Sequence, residues 1–309
     1  MDENLNELNT QDYIYTLAVL PEPGGKLLCL AARQSGLYIS EDGCQTWRLA
    51  YASLNLEAPQ TTTCAAISPS FATDRMLFAG VPGGFLISED GGQTWLSAQM
   101  PSPAPLPSIL AVSPNFAADQ LLLLGTSEDG VLRSTNQGTS WFAWNFGLLD
   151  FNILSLAFSP AFAADETVFA GTSSGLFVSR SGGRSWRESP LPAGPVAVLS
   201  LAFSPAFARD GKVYVGTEER GLYASADRGK SWRRLGEGTI DGVVNQILLS
   251  PDDPGVLLVA HDNSLLRSDD DGKSWSVVME GEIACLSAPY GFSPGKLLVG
   301  MVDGSVQKI

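Results

Sequence analysis

The feature that most constrains this chain is an eight-residue string that recurs six times. Its copies are SEDGCQTW at 40–47, SEDGGQTW at 88–95, STNQGTSW at 134–141, SRSGGRSW at 179–186, SADRGKSW at 225–232 and SDDDGKSW at 268–275. The final tryptophans recur roughly every 45 residues, a period that is typical of repeat folds such as β-propellers. The whole chain should therefore be built from copies of one unit.

Each unit predicts four short β-strands, which we call a to d. Upstream of four strings stands the motif S-P-x-F-A-x-D, at 68–74, 113–119, 159–165 and 204–210. Strand a is an apolar run such as ILSLAFS at 153–159, strand b resembles KVYVGT at 212–217, and strand c resembles GLYAS at 221–225. Strand d begins at the tryptophan. No helical spacing is found, and short strands with turn residues between them predict four-stranded antiparallel propeller blades.

The number of blades follows from the residues after the sixth string. EIACLSA at 282–288, GKLLVGM at 295–301 and GSVQKI at 304–309 match strands a, b and c of a seventh unit. We therefore predict an all-β, seven-bladed propeller as one domain over 1–309, with blades near 13–56, 57–103, 104–150, 151–194, 195–240, 241–281 and 282–309. Residues 1–12 are predicted to supply the missing outer strand of blade seven and close the ring. The alternative is a free tail and a three-stranded last blade.

The recurring string itself is predicted to be a structural turn. A short polar side chain at its third position can accept hydrogen bonds from the backbone, in Asp42, Asp90, Asn136, Asp227 and Asp270. The glycines at its fifth position supply a positive φ. The tryptophans are predicted to pack against the sheet, at Trp47, Trp95, Trp141, Trp186, Trp232 and Trp275. A cation-binding loop is disfavoured, because the copy SRSGGRSW carries basic residues where ligands would be needed.

These strings resemble the Asp-box, also called the BNR repeat, and the resemblance covers essentially the whole chain. The first copy departs from that pattern with Cys44 for Gly, and the fourth with Ser181 for Asp. Asp-boxes occur in sialidases, family 74 glycoside hydrolases, sortilin-type receptors and the photosystem II assembly factor. The resemblance implies a propeller, and it spreads over enzymes and non-enzymes alike.

Catalysis is disfavoured by the residues that an enzyme would need. The resemblance to sialidases would require three arginines on strands a, which carry none, and an F/Y-R-I-P motif, which is missing. Acidic residues on the b–c turns could line the mouth of the channel, on the face opposite the six strings: Glu128, Asp129, Glu218, Glu219, Asp262 and Asp303. They are interpreted as a solvated acidic rim, with a cationic partner or a catalytic carboxylate pair as the open alternatives. His261 is the one histidine, and we expect it to be exposed.

The composition narrows the possible partners. A formal net charge of −14 argues against nucleic acid and anionic membrane surfaces. Four scattered cysteines, expected to be free thiols, and a single histidine give no zinc spacing, so we expect no metal and no cofactor. The first residues lack a signal-peptide pattern and no run reaches about 18 apolar residues. We therefore expect a cytoplasmic protein without direct membrane insertion.

One tryptophan lies outside the repeat. Trp144 belongs to an apolar connection between blades three and four that also contains Phe146, Leu148, Leu149 and Phe151. Aromatic side chains on a surface loop often anchor protein interfaces. We predict that these five residues bind a partner, with the proline-rich segment MPSPAPLP at 100–107 extending the patch. The alternative is that they fold back between the blades.

Together these patterns predict a non-catalytic protein-binding scaffold, an assembly or accessory subunit of a larger complex, which uses the loop face opposite the six strings. The alternative from another class is a carbohydrate-active enzyme or a sugar-binding propeller with an acidic site at the channel mouth.

Overall fold

The apolar segments between the recurring turns fold as short antiparallel strands. The computed structural model describes residues 12–22, 26–293 and 295–309, and this part contains 27 strands in seven sheets. Residues such as Val, Ile, Phe and Tyr suit a half-buried pleated surface, and they dominate these segments. In every sheet, hydrogen-bonded neighbours follow one another along the chain.

Among the described residues, six sheets have four strands and the seventh has three. The first three sheets contain β1 (Ile14–Pro21), β2 (Leu27–Arg33), β3 (Gly36–Ser40), β4 (Arg48–Leu49), β5 (Cys64–Ile67), β6 (Leu77–Val81), β7 (Gly84–Ser88), β8 (Leu96–Ser97), β9 (Pro107–Val112), β10 (Leu122–Thr126), β11 (Val131–Ser134) and β12 (Phe142–Ala143). The next two contain β13 (Ile153–Phe158), β14 (Val168–Thr172), β15 (Leu176–Ser179), β16 (Arg187–Glu188), β17 (Val198–Phe203), β18 (Val213–Thr217), β19 (Leu222–Ser225) and β20 (Arg233–Leu235). The last two contain β21 (Val244–Leu249), β22 (Leu257–His261), β23 (Ser264–Ser268), β24 (Ser276–Glu280), β25 (Ile283–Ser287), β26 (Leu298–Met301) and β27 (Val306–Lys308).

The sheets are arranged as a closed ring of blades. The first strand of each sheet contacts the first strand of the next, and β25 of the last sheet contacts β1 of the first. The seven-bladed β-propeller predicted from the sequence is thereby confirmed. The predicted closing strand over 1–12 falls, apart from Asp12, outside the described residues.

Burial changes from the inner to the outer strand of a blade. The second strands β6, β10, β14, β18 and β22 are buried along their whole length. The fourth strands β8, β12 and β16 are exposed. A second strand is covered by both neighbouring blades, which explains its continuous apolar sequence. The core therefore consists of apolar layers between blades, each built from residues of two adjacent sheets.

In the described part of the chain, four one-turn helices occupy a–b connections and correct the expectation of no helix. They are α1 (Phe71–Asp74), α2 (Phe116–Asp119), α3 (Phe162–Asp165) and α4 (Phe207–Asp210), and a 3-10 helix covers Ala50–Leu54. In α4 the Ser204 hydroxyl donates to Asp210 at 2.6 Å, and Asp210 also accepts the Lys212 N–H at 2.9 Å. One turn is too short to show a helical period in the sequence, so these helices depend on the serine–aspartate contact instead.

Within the described ranges, no helix is long and apolar enough to cross a membrane.

Candidate functional site

The recurring turns use their polar side chains to hold their own backbone. Asp42 Oδ1 accepts the N–H groups of Gln45 and Thr46, each at 3.0 Å, and Oδ2 accepts the Thr46 hydroxyl at 2.6 Å. Hydrogen bonds from Thr46 outweigh partial desolvation and lower the pKa of Asp42 to about 2. In the fourth copy, Ser181 replaces the acid and accepts the Ser185 N–H at 3.1 Å. In the first turn, both carboxylate oxygens of Asp42 are thus occupied by groups of the turn itself.

No metal-binding group competes with this role in the part of the chain that is described. It contains no cluster of three or more His, Cys, Asp or Glu side chains that could hold an ion.

The tryptophans of the turns reach the preceding blade. Trp95, Trp141, Trp186 and Trp232 are buried, whereas Trp47 and Trp275 are half-buried. The Trp95 indole N–H donates to the Ala50 carbonyl at 3.0 Å, and that of Trp186 donates to the Trp144 carbonyl at 2.9 Å. Ala50 and Trp144 both follow the outer strand of the previous blade. The turn of one blade therefore fixes the connection that leaves the blade before it.

The connection over 144–151, which we call the 144–151 loop, exposes most of the side chains that the sequence singled out. Phe146 is 82% and Leu149 77% exposed, while Phe151 and Trp144 are 44% and 38% exposed. Leu148 is only 6% exposed and packs in the apolar layer that contains Trp186. The prediction that Leu148 contacts a partner is wrong in this respect, since this side chain anchors the loop to the core.

The first half of the loop is tied to the fourth turn. The Trp186 backbone N–H donates to the Phe146 carbonyl at 2.8 Å, in addition to the indole bond to Trp144. Leu148 N–H donates to the Asn145 carbonyl at 2.9 Å, which closes a tight turn. Gly147 in this turn has φ +83°, and a Cβ there would lie 2.2 Å from the Trp186 carbonyl oxygen. Only glycine fits this position without displacing the loop.

The loop also contacts the b–c turn of blade three. Asn145 Oδ1 accepts the Val131 N–H at 2.8 Å, and its Nδ2 donates to the Asp129 carbonyl at 2.7 Å. Gly130 N–H donates to the Phe151 carbonyl at 3.0 Å. The loop is therefore not confined to the face opposite the recurring turns, which is the face predicted for partner binding. It begins against Trp186 and ends beside the b–c turn of blade three.

The neighbouring proline-rich segment also meets this b–c turn. Leu106 is 51% exposed, and its carbonyl accepts the Ser127 N–H at 3.0 Å. Glu128 and Asp129, which follow directly, are exposed. Exposed apolar side chains thus lie on both sides of an exposed acidic pair.

The other predicted acids are exposed on separate b–c turns. Glu218 and Glu219 lie in blade five, and Asp303 accepts the Ser305 N–H at 2.9 Å in blade seven. Asp262 accepts the Val243 N–H at 3.1 Å, and its Oδ2 is 3.3 Å from His261 Nε2.

The expectation of an exposed histidine is wrong. His261 is 8% exposed, because it ends the buried strand β22, and its Nδ1–H donates to the Val243 carbonyl at 2.9 Å. His261 donates to the Val243 carbonyl, and Asp262 accepts the Val243 N–H. Both side chains therefore have a structural role at the b–c turn of blade six.

A cleft beside blade one was not foreseen from the sequence. It has a volume of about 350 Å³ and is lined by residues that include Tyr38, Leu49, Tyr51, Leu56 and Pro59. Its outer wall is the connection that follows β4. The apolar residues at 49, 51 and 56 were the available signal, but they are less concentrated than those of the 144–151 loop.

Comparison with known proteins identifies the fold. No protein-family model matches the chain. A search of curated proteins also gives no match. Among solved structures, the extracellular domain of BT4673 from B. thetaiotaomicron is similar with a TM-score of 0.71 and 17% identity over 96% of this chain. The chain spans 38% of the length of that protein.

Two further structures cover nearly the whole chain. YCF48 bound to D1 peptide is similar with a TM-score of 0.68 and 16% identity, over 94% of this chain and 89% of its own. The GH74 xyloglucanase from Xanthomonas campestris has a TM-score of 0.70 and 19% identity, over 96% of this chain and 52% of its own. At these identities, the likeness shows that the chain shares the β-propeller fold with these proteins.

Proposed function

We propose that this chain is a non-catalytic protein-binding platform of a larger assembly, and that the 144–151 loop is its docking surface. One observation carries the proposal. Phe146 and Leu149 are 82% and 77% exposed, yet the turn between them is held by hydrogen bonds to Trp186 and by the buried Leu148. A rigid loop that presents apolar side chains to water is suited to anchor a partner.

The energetics favour such a role. Complete burial of a leucine or phenylalanine side chain is worth about 1.5–3 kcal/mol. Two such side chains could therefore contribute about 3–6 kcal/mol to docking before the costs of association. Because the backbone of the loop is already fixed, little ordering entropy is lost when a partner binds.

The charges beside the loop define the chemistry of the partner. Glu128 and Asp129 are exposed next to Asn145, and the chain carries a formal net charge of −14. A protein segment that combines apolar residues with Lys or Arg would complement this surface. Docking should then weaken as the salt concentration rises.

The repeat and one structural neighbour support the same class of function. The six turns resemble Asp-boxes, and one similar solved protein, YCF48, is bound to a peptide. Our proposal takes residues 1–309 as one propeller domain with the blade limits given above, acting in the cytoplasm. It involves no cofactor, no nucleic acid and no direct membrane insertion.

A second candidate is a sugar-binding or carbohydrate-active propeller. It is favoured by aromatic side chains beside exposed carboxylates, at Trp144 and Phe146 next to Glu128 and Asp129. However, Trp144 directly follows the outer strand β12, away from the inner strands that line the channel. Incubation with xyloglucan oligosaccharides, followed by calorimetry and product analysis, would separate the two functions.

The proposed function can be tested with matched phenylalanine variants. Phe142 and Phe146 are 66% and 82% exposed, but Phe142 lies on the outer strand β12. We expect Phe146→Ala combined with Leu149→Ala to lower recovery of specific partners in quantitative affinity purification from the native host. Phe142→Ala should leave the recovery of partners unchanged. Both variant proteins should melt at the same temperature as the unaltered protein. Equal recovery with both variants would contradict the proposal.

A further inference from the structure

Two of the four cysteines meet in blade one. The Sγ atoms of Cys29 and Cys44 are 2.7 Å apart, whereas Cys64 and Cys285 are buried on strands β5 and β25 of other blades. A disulfide bond requires about 2.05 Å, so only a small displacement separates the two thiols from a covalent link. Cys29 lies on β2, and Cys44 lies in the first recurring turn.

The repeat shows that both positions are exceptional. Cys44 has φ +69°, a conformation that disfavours residues other than glycine. The equivalent residues of the other five turns are all glycines with positive φ: Gly92, Gly138, Gly183, Gly229 and Gly272.

The partner position departs in the same blade. Cys29 pairs in register with Ser40, the first residue of the turn. In the other five turns, the residues paired with that first serine are apolar, namely Leu77, Leu122, Val168, Val213 and Leu257. Blade one thus replaces both an aliphatic residue and a glycine by cysteines that face each other.

The two thiols differ in their access to solvent. Cys44 is half-buried, whereas Cys29 is completely buried. The contact with Cys44, together with burial, raises the pKa of the Cys29 thiol. An oxidant in solution therefore reaches Cys44 first, and Cys29 can react only with a sulfur already in contact with it.

We propose that Cys29 and Cys44 are a reversible redox site that forms an intrablade disulfide with a small-molecule disulfide as oxidant. Cys44 loses its proton to solvent, and its thiolate attacks one sulfur of the oxidant; the S–S bond of the oxidant breaks, a mixed disulfide forms, and the released thiolate takes up a proton. Cys29 then loses its proton to solvent and attacks the Cys44 sulfur; the mixed disulfide breaks, and the second released thiolate takes up a proton. Two protein thiols are oxidised to one disulfide, and one oxidant disulfide is reduced to two thiols.

The position of the pair gives this bond a structural consequence. Cys29 packs in the apolar layer where blade one meets blade seven, together with Leu27, Cys285 and Leu298, and Cys44 packs against this layer. A covalent link between β2 and the first turn would restrict the movement of the residues that blade one contributes to this layer. Cross-links of this kind stabilise mainly by restricting the unfolded chain.

The test uses the full chain and oxidised glutathione. After acid quenching and unfolding, labelling with a maleimide should detect two fewer thiols in the oxidised protein. Peptide mapping should find Cys29 joined to Cys44, and a dithiol reductant should restore all four thiols. The oxidised protein should also melt at a higher temperature than the reduced one.

The repeat supplies the matched controls. Cys29→Leu and Cys44→Gly restore the residue types of the other blades, and each should abolish both the cross-link and the rise in melting temperature. Cys64→Ala and Cys285→Ala should keep both. Four labelled thiols after oxidation, a persistent glutathione adduct on Cys44, or a cross-link to another cysteine would each overturn the proposal.

Discussion

Replacement of Trp186 by alanine should lower the free energy of unfolding strongly. Among changes in the recurring turns, only those at the other buried tryptophans should cost as much. Trp186 is 2% exposed and lies in the apolar layer between blades three and four. Removing a buried tryptophan side chain costs about 3–5 kcal/mol. The lost hydrogen bond leaves the Trp144 carbonyl without the indole donor, which adds about 1 kcal/mol.

The expected loss for Trp186→Ala is therefore about 4–6 kcal/mol. At about 2 °C per kcal/mol, the melting temperature should fall by about 8–12 °C. Far-UV circular dichroism is the suitable assay, since the variant loses a fluorophore. The control is Trp275→Ala, because Trp275 is half-buried and its indole N–H has no hydrogen-bond partner among the described residues.

The control should lose less than half as much stability as Trp186→Ala. Equal losses, or a loss below about 1 kcal/mol at Trp186, would refute the argument that burial and the bond to the loop determine the cost.

Three further perturbations test other parts of the account. Gly147→Ala should speed hydrogen exchange in the 144–151 loop, because a Cβ would lie 2.2 Å from the Trp186 carbonyl oxygen. Gly175→Ala, where a Cβ meets nothing within 4 Å, should not, and unchanged exchange in both would count against the rigid loop. Asp270→Asn should flatten the fall in melting temperature on acidification. Hydrogen bonds from a neighbouring serine lower the folded pKa of Asp270 to about 2, against about 3.9 when unfolded, so its stabilisation is complete above about pH 4 and is lost toward pH 2. Equal slopes for the two proteins would contradict this. Asp165→Ala should cost about 1.5–3 kcal/mol, since it removes the acceptor of one hydroxyl and one backbone N–H; an unchanged melting temperature would show that helix α3 does not depend on it.

The fold was predictable because each repeat contains the same turn, which marks the end of one strand and the start of the next. The spacing of the tryptophans fixes the blades, and the uniformly apolar second strands follow from burial on both faces. The one-turn helices were missed because α3 and its counterparts are too short for a period, and depend on contacts such as that between Ser159 and Asp165.

The candidate site was predictable in part. The excess of aromatic residues identified the 144–151 loop, but composition could not show that Leu148 points inward. Likewise, the buried position of His261 depends on the length of β22. The approach of Cys29 and Cys44 depends on strand register across a turn, which their separation in the sequence does not show.

Partner docking at the 144–151 loop is tested most directly by site-specific photo-crosslinking. A benzoyl-phenylalanine replaces Phe146 and, in a second protein, Phe142. The probe is larger than phenylalanine, but both natural side chains are mostly exposed, at 82% and 66%, so both positions have room for it. Irradiation in a lysate of the native host should yield a defined covalent adduct from position 146 and none from position 142. The yield of the adduct should fall when the salt concentration is raised before irradiation. An adduct from position 142 with none from position 146 would contradict the proposed docking surface.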